Sequence, residues 1–377
     1  MMHLHPCHAL RAAVFVVLAA SAASFAGQAS HLLATPLAAP LADPQAPVKP
    51  ASPPSFDIVK VGDGVYAAIG QNGVFGNGAF IVSEVGVLVV DTQARPSWAR
   101  DLIAEIRKVT DKPVRYVVNT HWHGDHVQGN QAYLAEFGGG VEFISQTYTR
   151  EDIIARGGPQ LQQQVGTTIP AAIAQLQKQL ADGKDAQGVA LTDATRAQLQ
   201  AQLKLQQDNL AEYKNVTLVP STITYDTNMI LHLAGREIDL LHWGLAHTRG
   251  DTVVYLPKEH IVITGDLLTN GIPVMRTAYP VEWVASLQAI DKLDWTAAIP
   301  GHGNVQQGKT QLESLLAYMT DLVAGVKASV AKGQTMEQAE TSVDLSKYKS
   351  AFPNFDTGGN KSAIDRAWTE ISGKPMQ

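Results

Sequence analysis

Six consecutive residues, His121-Trp122-His123-Gly124-Asp125-His126, bring together four side chains that can bind divalent metal ions. Two histidines separated by one residue at the end of a strand can converge on one cation. Asp125 and His126, on the far side of Gly124, can reach a second cation close by. Imidazole nitrogens and carboxylate oxygens are donors that zinc and related ions accept. Four such donors within six residues, in a chain with 12 histidines, argue against surface histidines without a shared role.

Three more donors lie downstream, each where a strand meets a loop. His247 lies directly before a predicted strand. Asp266 follows the apolar run Ile261–Thr264, and His302 follows another short apolar run in Ile299-Pro300-Gly301-His302-Gly303. Ligands and reactive groups gather on loops at the strand ends of α/β sheets. Together, His247, Asp266 and His302 supply the ligands that the first cluster lacks.

The elements that position these donors alternate between strands and helices. Apolar residues at helical spacing predict a helix over Pro96–Thr110, and a second helix is predicted to run through Phe137. The strand Val114–Val118 leads straight into the histidine cluster. The other predicted strands are Asp57–Val61, Val65–Ile69, Gly78–Ser83, Gly86–Val90, Val141–Ser145, Val216–Val219, Met229–Leu233, Arg236–His242, Asp251–Leu256 and His260–Thr264.

Two regions depart from this alternation. Residues from about 150 to 215 are rich in Gln, Ala and Leu, and they predict a helical hairpin inserted into the main fold. A lid, a contact that forms a homo-oligomer, and a solvated hairpin without a special role are open alternatives for it. Residues 310–377 form a predicted helical C-terminal extension, with a capping-box pattern at Thr335 and Gln338.

The N-terminus has the features of a secretory signal peptide over residues 1–26. Arg11 precedes the apolar run Ala12–Ala20, and Ser24-Phe25-Ala26 is a small-x-small cleavage site. A retained membrane anchor is the alternative, but a bilayer span needs about 20 apolar residues. We therefore expect a periplasmic or secreted protein with no stable membrane span after cleavage. Residues 27–55 are rich in Ala and Pro and predict an extended linker.

The composition is that of a globular protein, with 45% hydrophobic and 17% charged residues. The formal net charge is −6, and no long basic run is present, so a nucleic acid is not expected as a partner. The expected partner is a small-molecule substrate. The one cysteine, Cys7, lies within the predicted signal peptide. The mature protein therefore has no cysteine that could act as a ligand or nucleophile.

The order His-x-His-x-Asp-His, then His, then Asp, then Gly-His-Gly resembles the metallo-β-lactamase superfamily. The resemblance covers about Phe56 to Gly308. It implies an α/β fold, a four-layer αββα sandwich over residues 56–309 with the metals at one edge between the sheets.

The resemblance also implies a ligand set. One metal is held by His121, His123 and His247, and the second by Asp125, His126 and His302, with Asp266 bridging the pair. Asp91 matches the first motif of the family, an aspartate that supports the metal loop from behind.

For function, the resemblance implies a dinuclear zinc hydrolase, with iron or manganese as less favoured ions. A metal-bound hydroxide attacks a lactam, lactone, ester or thioester, and β-lactam hydrolysis is included. Asp125 orients the hydroxide and carries its proton. The β-lactamases that place a cysteine at the position of Asp266 are excluded, and a bridging aspartate is closer to glyoxalase II, lactonases and phosphodiesterases. The alternatives are an iron-dependent sulfur-metabolism oxidoreductase on the same fold and a non-catalytic metal-binding protein.

Overall fold

The computed structural model of the chain describes residues 55–71 and 74–374. The predicted signal peptide and nearly all of the predicted linker lie outside the described residues. Two sheets form the centre of the fold. The first has seven strands in the order β1 to β7, and the second has six strands in the order β13-β12-β11-β10-β9-β8.

In the first sheet, β1 to β4 are antiparallel neighbours, whereas β4 to β7 run parallel to one another. In the second sheet, β11 and β12 are parallel, and the other pairs are antiparallel. The strands are β1 (Phe56–Gly62), β2 (Val65–Gly70), β3 (Gly78–Ser83), β4 (Gly86–Val90), β5 (Val114–Val118), β6 (Glu142–Gln146), β7 (Ile223–Tyr225), β8 (Asn228–Leu233), β9 (Arg236–Leu241), β10 (Val253–Leu256), β11 (Ile261–Thr269), β12 (Ala297–His302) and β13 (Gln306–Gln307).

Helices cover the outer face of each sheet. In chain order the helices form three groups, within residues 96–137, 147–213 and 280–372. Short π-helical turns at Ile153–Gly157 and Gln164–Thr168 interrupt the second group. The helices are α1 (Pro96–Val109), α2 (Gly124–Val127), α3 (Asn130–Phe137), α4 (Thr147–Asp152), α5 (Gly158–Gln163), α6 (Ile169–Asp182), α7 (Asp193–Tyr213), α8 (Pro280–Lys292), α9 (Thr310–Ala331), α10 (Met336–Ser342) and α11 (Asn360–Ser372).

Three layers of buried apolar side chains hold these elements together. Ile81 and Leu88 of the first sheet pack against Val254 and Ile263 of the second. Trp98 and its neighbours on α1 and α3 cover the outer face of the first sheet. Residues of α8, α9 and α11 cover the outer face of the second sheet. This is the predicted four-layer αββα sandwich with a helical C-terminal segment, and the fold prediction is confirmed.

Helix α9 is the one helix among residues 55–71 and 74–374 that is long and apolar enough to cross a membrane, with a mean hydropathy of 1.2. Its apolar residues Leu312, Leu315 and Met319 are fully buried in the layer that covers the second sheet. The apolar character of α9 is therefore explained by its place in the core of the folded protein.

The prediction of a strand at Val216–Val219 is wrong. Gln131 Oε1 accepts a hydrogen bond from Thr217 N, and Asn130 Nδ2 donates one to Val219 O at 2.9 Å. Leu218 packs against the small apolar cluster around Trp122. Side chains therefore take up backbone groups that a strand would use, and the chain joins the first sheet only at β7.

Two carboxyl groups lie close together where α8 meets α11. Glu370 accepts a hydrogen bond from Val281 N at 3.2 Å, and burial and the nearby Glu282 carboxyl raise the pKa of Glu370 to about 8. A carboxyl group with a raised pKa binds its proton more tightly in the folded state. Folding stability is therefore expected to fall as the pH rises from the ordinary glutamate pKa towards that value.

Glu370→Gln removes this charge and keeps an acceptor for Val281 N. We expect the variant to melt at a higher temperature than the wild type at about pH 9 and at nearly the same temperature at about pH 4, below the ordinary glutamate pKa. The gain is expected to be less than about 1 kcal/mol because solvent screens a partly exposed group. Thermal unfolding at both pH values measures it. Glu313→Gln, an exposed change on α9, is the control and should shift both melting temperatures equally.

Candidate metal centre

The seven predicted ligands come from five segments of the chain, which meet at one edge of the sandwich. β5 ends at Val118, directly before the loop that carries His121 and His123, and α2 carries Asp125 and His126. The remaining three come from the second sheet: the loop between β9 and β10, the middle of β11, and the end of β12. The structure thus brings together residues that are up to 181 positions apart.

The donors form two groups. His121, His123, His247 and Asp266 form the first, and Asp125, His126 and His302 form the second. Within each group, one donor atom from every residue lies within 4.8 Å of the others. These are the two ligand sets that the resemblance implies, although metal binding itself stays a prediction.

Separations in the first group suit a tetrahedral ion. His123 Nδ1 lies 3.1 Å from His121 Nε2 and 3.0 Å from His247 Nε2. Zinc–nitrogen bonds of about 2.0–2.1 Å in a tetrahedron place the nitrogens about 3.3 Å apart. The three imidazoles are therefore arranged as ligands of one ion.

Asp266 lies between the two groups. Its Oδ2 is 3.4 Å from His247 Nε2, whereas its Oδ1 is 3.2 Å from His302 Nε2 and 3.4 Å from His126 Nε2. Asp266 Oδ1 and His126 Nε2 are buried and have no hydrogen-bond partner among the described residues. Buried polar atoms without partners are costly, so a cation between them accounts for their placement. The donor set fits a dinuclear centre.

The electrostatics differ between the two groups. Burial lowers the pKa values of His123 to about 3 and of His247 to about 4, and it also lowers that of His121. Neutral imidazole is the form that binds metal. Burial opposes the charge on His302, but the carboxylates of Asp266 and Asp125 raise its pKa to about 10.

His126 behaves like His302. Burial disfavours its charge, yet Asp125, Asp266 and Asp91 raise its pKa well above the ordinary value. Burial would likewise raise the pKa values of Asp125 and Asp266, but the neighbouring histidines hold both well below the usual range. The two carboxylates thus favour positive charge at the centre, on His126 and His302 or on a cation bound in their place.

A second layer of hydrogen bonds orients the ligands. Asp91 Oδ1 accepts from Thr120 N at 2.8 Å, while Asp91 Oδ2 accepts from Thr120 Oγ1 at 2.7 Å and lies 2.8 Å from His126 Nδ1. His126 therefore directs Nε2 towards Asp125 and Asp266. Such outer partners fix the ring and the tautomer of a ligand histidine. The position of Asp91 agrees with the supporting role predicted for it.

Thr277 is a contact that the sequence did not reveal. Its Oγ1 lies 2.9 Å from His123 Nε2, which leaves His123 Nδ1 to face the metal centre. The loop of His247 is held similarly, because Thr248 N and Oγ1 both donate to the Asp251 carboxylate. Thr277 lies on the irregular segment between β11 and α8, where no local pattern marks a role for it.

Gly301 permits the close approach of β12 to Asp266. A Cβ atom at position 301 would lie 2.0 Å from Asp266 Oδ1 and 2.9 Å from Asp266 N. Any side chain there would displace the carboxylate that faces both groups. The Gly-His-Gly pattern is thus required by packing as well as by the histidine that it presents.

The comparisons with known proteins agree with the fold. The sequence profile of the metallo-beta-lactamase superfamily matches residues 72–147 and 211–302, a region that contains all seven donors. The unmatched residues between these two ranges carry the helices α4 to α7. The region of the chain that carries the seven donors belongs to the metallo-beta-lactamase superfamily.

Several relatives are similar to parts of the chain. A linear primary-alkylsulfatase from a Pseudomonas species is 27% identical over 252 residues, which are 63% of this chain and 43% of the relative. The lactamase-like protein aptB from Emericella nidulans is 51% identical over 43 residues, 11% of this chain and 14% of that protein.

One solved structure has the same fold over most of the described residues. A double mutant of the sec-alkyl sulfatase PisA1 aligns with a TM-score of 0.56 at 16% sequence identity, over 76% of this chain and 45% of that chain. The present chain thus spans less than half the length of both alkylsulfatases that it matches.

Proposed function

We propose that this protein is a dinuclear zinc hydrolase that cleaves a carboxylic ester, a lactone or a related thioester or lactam. The observation that carries the proposal is the placement of Asp266. Its Oδ2 faces His247 of the first group, and its Oδ1 faces His302 of the second. Two zinc ions held by these residues would polarise the scissile bond and would lower the pKa of a bound water molecule to about 7.

Asp125 is the side chain placed to handle the proton. Its Oδ2 lies 3.3 Å from His302 Nε2, and the Asp125 and His302 side chains retain 23% and 21% of their exposure. In the first group, His121 and His247 are buried, at 1% and 0%, and of its four residues His123 alone is partly exposed. Substrate therefore approaches from the side of the second group, where Asp125 accepts a proton from the attacking water and passes it to the leaving group.

An apolar cleft adjoins this open side and favours a substrate with a hydrocarbon arm. The cleft has a volume of about 290 Å³ and reaches Asp266 and His302 at its inner end. The ring of Phe75 lies 4.5 Å from that of His302 and forms one wall of the cleft. The other apolar walls are Ile272, Pro273, Val274 and Pro353. We call this the apolar cleft.

Sulfate-ester hydrolysis is the second candidate, because the relative that matches 63% of the chain is named a linear primary-alkylsulfatase. A sulfate group carries a full negative charge that arginine or lysine commonly balances. The described residues that line the apolar cleft include no lysine or arginine, and their one basic side chain is His302, a predicted metal ligand. This favours the neutral esters over the sulfate ester.

A substrate panel on zinc-loaded protein tests the proposal. The panel contains a hexanoyl ester, a lactone, a thioester, a chromogenic cephalosporin and a primary alkyl sulfate. We expect turnover of the ester or lactone, loss of turnover with a chelator, and its return with zinc. We expect Asp125→Asn to lower kcat by at least about 100-fold, and Asp63→Asn, an exposed change in the turn between β1 and β2, to leave it unchanged.

Different outcomes separate the alternatives. Turnover of the alkyl sulfate alone would assign the second candidate. Stoichiometric iron without zinc in protein from its native host would support the oxidoreductase. Full turnover by Asp125→Asn would contradict the mechanism, and no turnover of any substrate would support a non-catalytic metal-binding protein.

A further inference from the structure

A second cleft lies on the opposite side of Phe75, next to Asp125. It has a volume of about 510 Å³ and is bounded by residues 121–128, which we call the metal loop, by α1 and by the inserted helices of residues 147–213. We call it the amide cleft because four carboxamide side chains line it. These are Gln128 of the metal loop and Gln164, Gln206 and Asn209 of the inserted helices.

The amides of this cleft are poorly satisfied by the protein. Gln128 Oε1, Gln164 Oε1 and Asn209 Oδ1 are buried and have no hydrogen-bond partner among the described residues. Gln128 as a whole is only 3% exposed. Buried polar groups are nearly always paired in folded proteins. Three unpaired amide oxygens beside one cavity, each shielded from solvent in this arrangement, therefore point to a ligand that pairs with them once their side chains turn towards it.

The charge of the cleft restricts what that ligand is. Asp125 is the one ionisable carboxylate among its described lining residues, and none of those residues is lysine or arginine. An anionic group held away from the metal centre would have no lysine or arginine of the cleft to balance its charge. A neutral group with hydroxyl or amide functions would instead find donors and acceptors in the carboxamides, and apolar contact with Trp98 and Leu205.

The inserted helices are held in place over this cleft by ordered contacts. Near the end of α7, the Glu212 carboxylate accepts hydrogen bonds from Ser97 N at 3.0 Å and Ser97 Oγ at 2.6 Å. Glu212 Oε1 also lies 3.6 Å from Arg95 Nε. These contacts fix α7 to the start of α1, so the amides of α7 face the metal loop before any ligand arrives.

We infer that the amide cleft binds the neutral, hydrogen-bonding arm of the substrate, while its hydrocarbon arm occupies the apolar cleft on the other side of Phe75. The substrate class is then an uncharged amphiphilic ester or lactone with hydroxyl or amide groups on one side of the scissile bond. This inference rests on the proposed function, because both arms must meet at the metal centre.

Binding of ethers that cannot be hydrolysed tests the inference without relying on turnover. The three probes share a hexyl chain: 1-O-hexylglycerol has a neutral dihydroxy arm, 3-hexyloxypropanoate has an anionic arm, and hexyl methyl ether has neither. Titration calorimetry on the zinc-loaded full chain measures each Kd. We expect 1-O-hexylglycerol to bind at least about tenfold more tightly than the other two, since two added hydrogen bonds account for that ratio.

Two variants of α7 assign the preference to the cleft. Asn209→Leu removes an unpaired amide and is expected to abolish most of the preference for the glycerol ether. Gln207→Leu changes an exposed amide two residues away and should retain the full preference. Gln164→Leu provides a second cleft variant in case Asn209→Leu unfolds, and the melting temperature of each variant checks its fold.

The outcomes for the cleft and for the enzyme are separable. Equal binding of the three ethers, no binding of any, or a preference that persists in both cleft variants overturns the inference. A preference that depends on Asn209 in a protein that hydrolyses nothing would uphold the cleft and reject the hydrolase. Turnover of the ester panel without any preference for 1-O-hexylglycerol would reject the cleft and uphold the hydrolase.

Discussion

Asp266→Ala is expected to lower kcat/KM for the best ester or lactone of the panel by at least about 1,000-fold. Removal of Asp266 takes away the one carboxylate whose two oxygens face both groups of donors. The two cations would lose their shared ligand, and with it the geometry that stabilises the developing negative charge. Steady-state kinetics and metal analysis of the same preparation measure both effects, and we expect metal content to fall from about two ions per chain to one or fewer.

Asp294→Ala is the control for this prediction. The Asp294 side chain is 84% exposed near the far end of β12, and its loss should leave both kinetics and metal content unchanged. The metal-free Asp266→Ala protein should still fold, because His126 and His302 can lose their protons once a carboxylate that raises their pKa values is gone. A variant that keeps two ions and acts within tenfold of the wild type would show that Asp266 is not a shared ligand.

Asp91→Asn is expected to weaken zinc binding by about 10- to 100-fold, the usual cost of losing an outer partner of a ligand histidine. Asparagine keeps the size of Asp91 and tolerates its positive φ of 61°. It cannot, however, accept from Thr120 N, Thr120 Oγ1 and His126 Nδ1 together as the carboxylate does. His126 then loses the contact that directs Nε2 towards the metal centre.

Competition with a chromophoric chelator measures this loss of affinity, and the zinc dissociation rate should rise in proportion. The NMR signals of the His126 ring should also shift, which a general loss of stability would not cause. Asp63→Asn serves again as the exposed control. An unchanged zinc affinity in Asp91→Asn would mean that Thr120 and the backbone suffice to place His126.

The sequence predicts which donors the fold brings together, because residue types that bind metals stand in short, recognisable patterns. Four donors lie within six residues, and His247, Asp266 and His302 each follow or precede a strand whose apolar pattern is clear. The fold could be predicted for the same reason, since buried strands and amphipathic helices have distinct periods. What ligand each group holds stays a prediction.

Local sequence patterns do not predict contacts between residues that are far apart in the chain. Thr277 lies 154 positions from His123, and nothing in the segment around it indicates the contact. Val216–Val219 has the composition of a strand, but Asn130 and Gln131 take up its backbone groups. The inserted helices were predicted from composition, whereas their docking depends on Glu212 and Ser97, which are 115 positions apart.

The attachment of α7 through Glu212 also affects how the substrate preference of this protein can change. Residues between 147 and 211 lie outside the match to the superfamily, yet they contribute Gln164, Gln206 and Asn209 to the amide cleft. The ligands of the metal centre all lie inside the matched ranges. The metal ligands and these three amides of the amide cleft thus lie on separate stretches of the chain. Exchange of the inserted helices, with Glu212 kept as the attachment point, could change the selected substrate while the metal ligands stay intact.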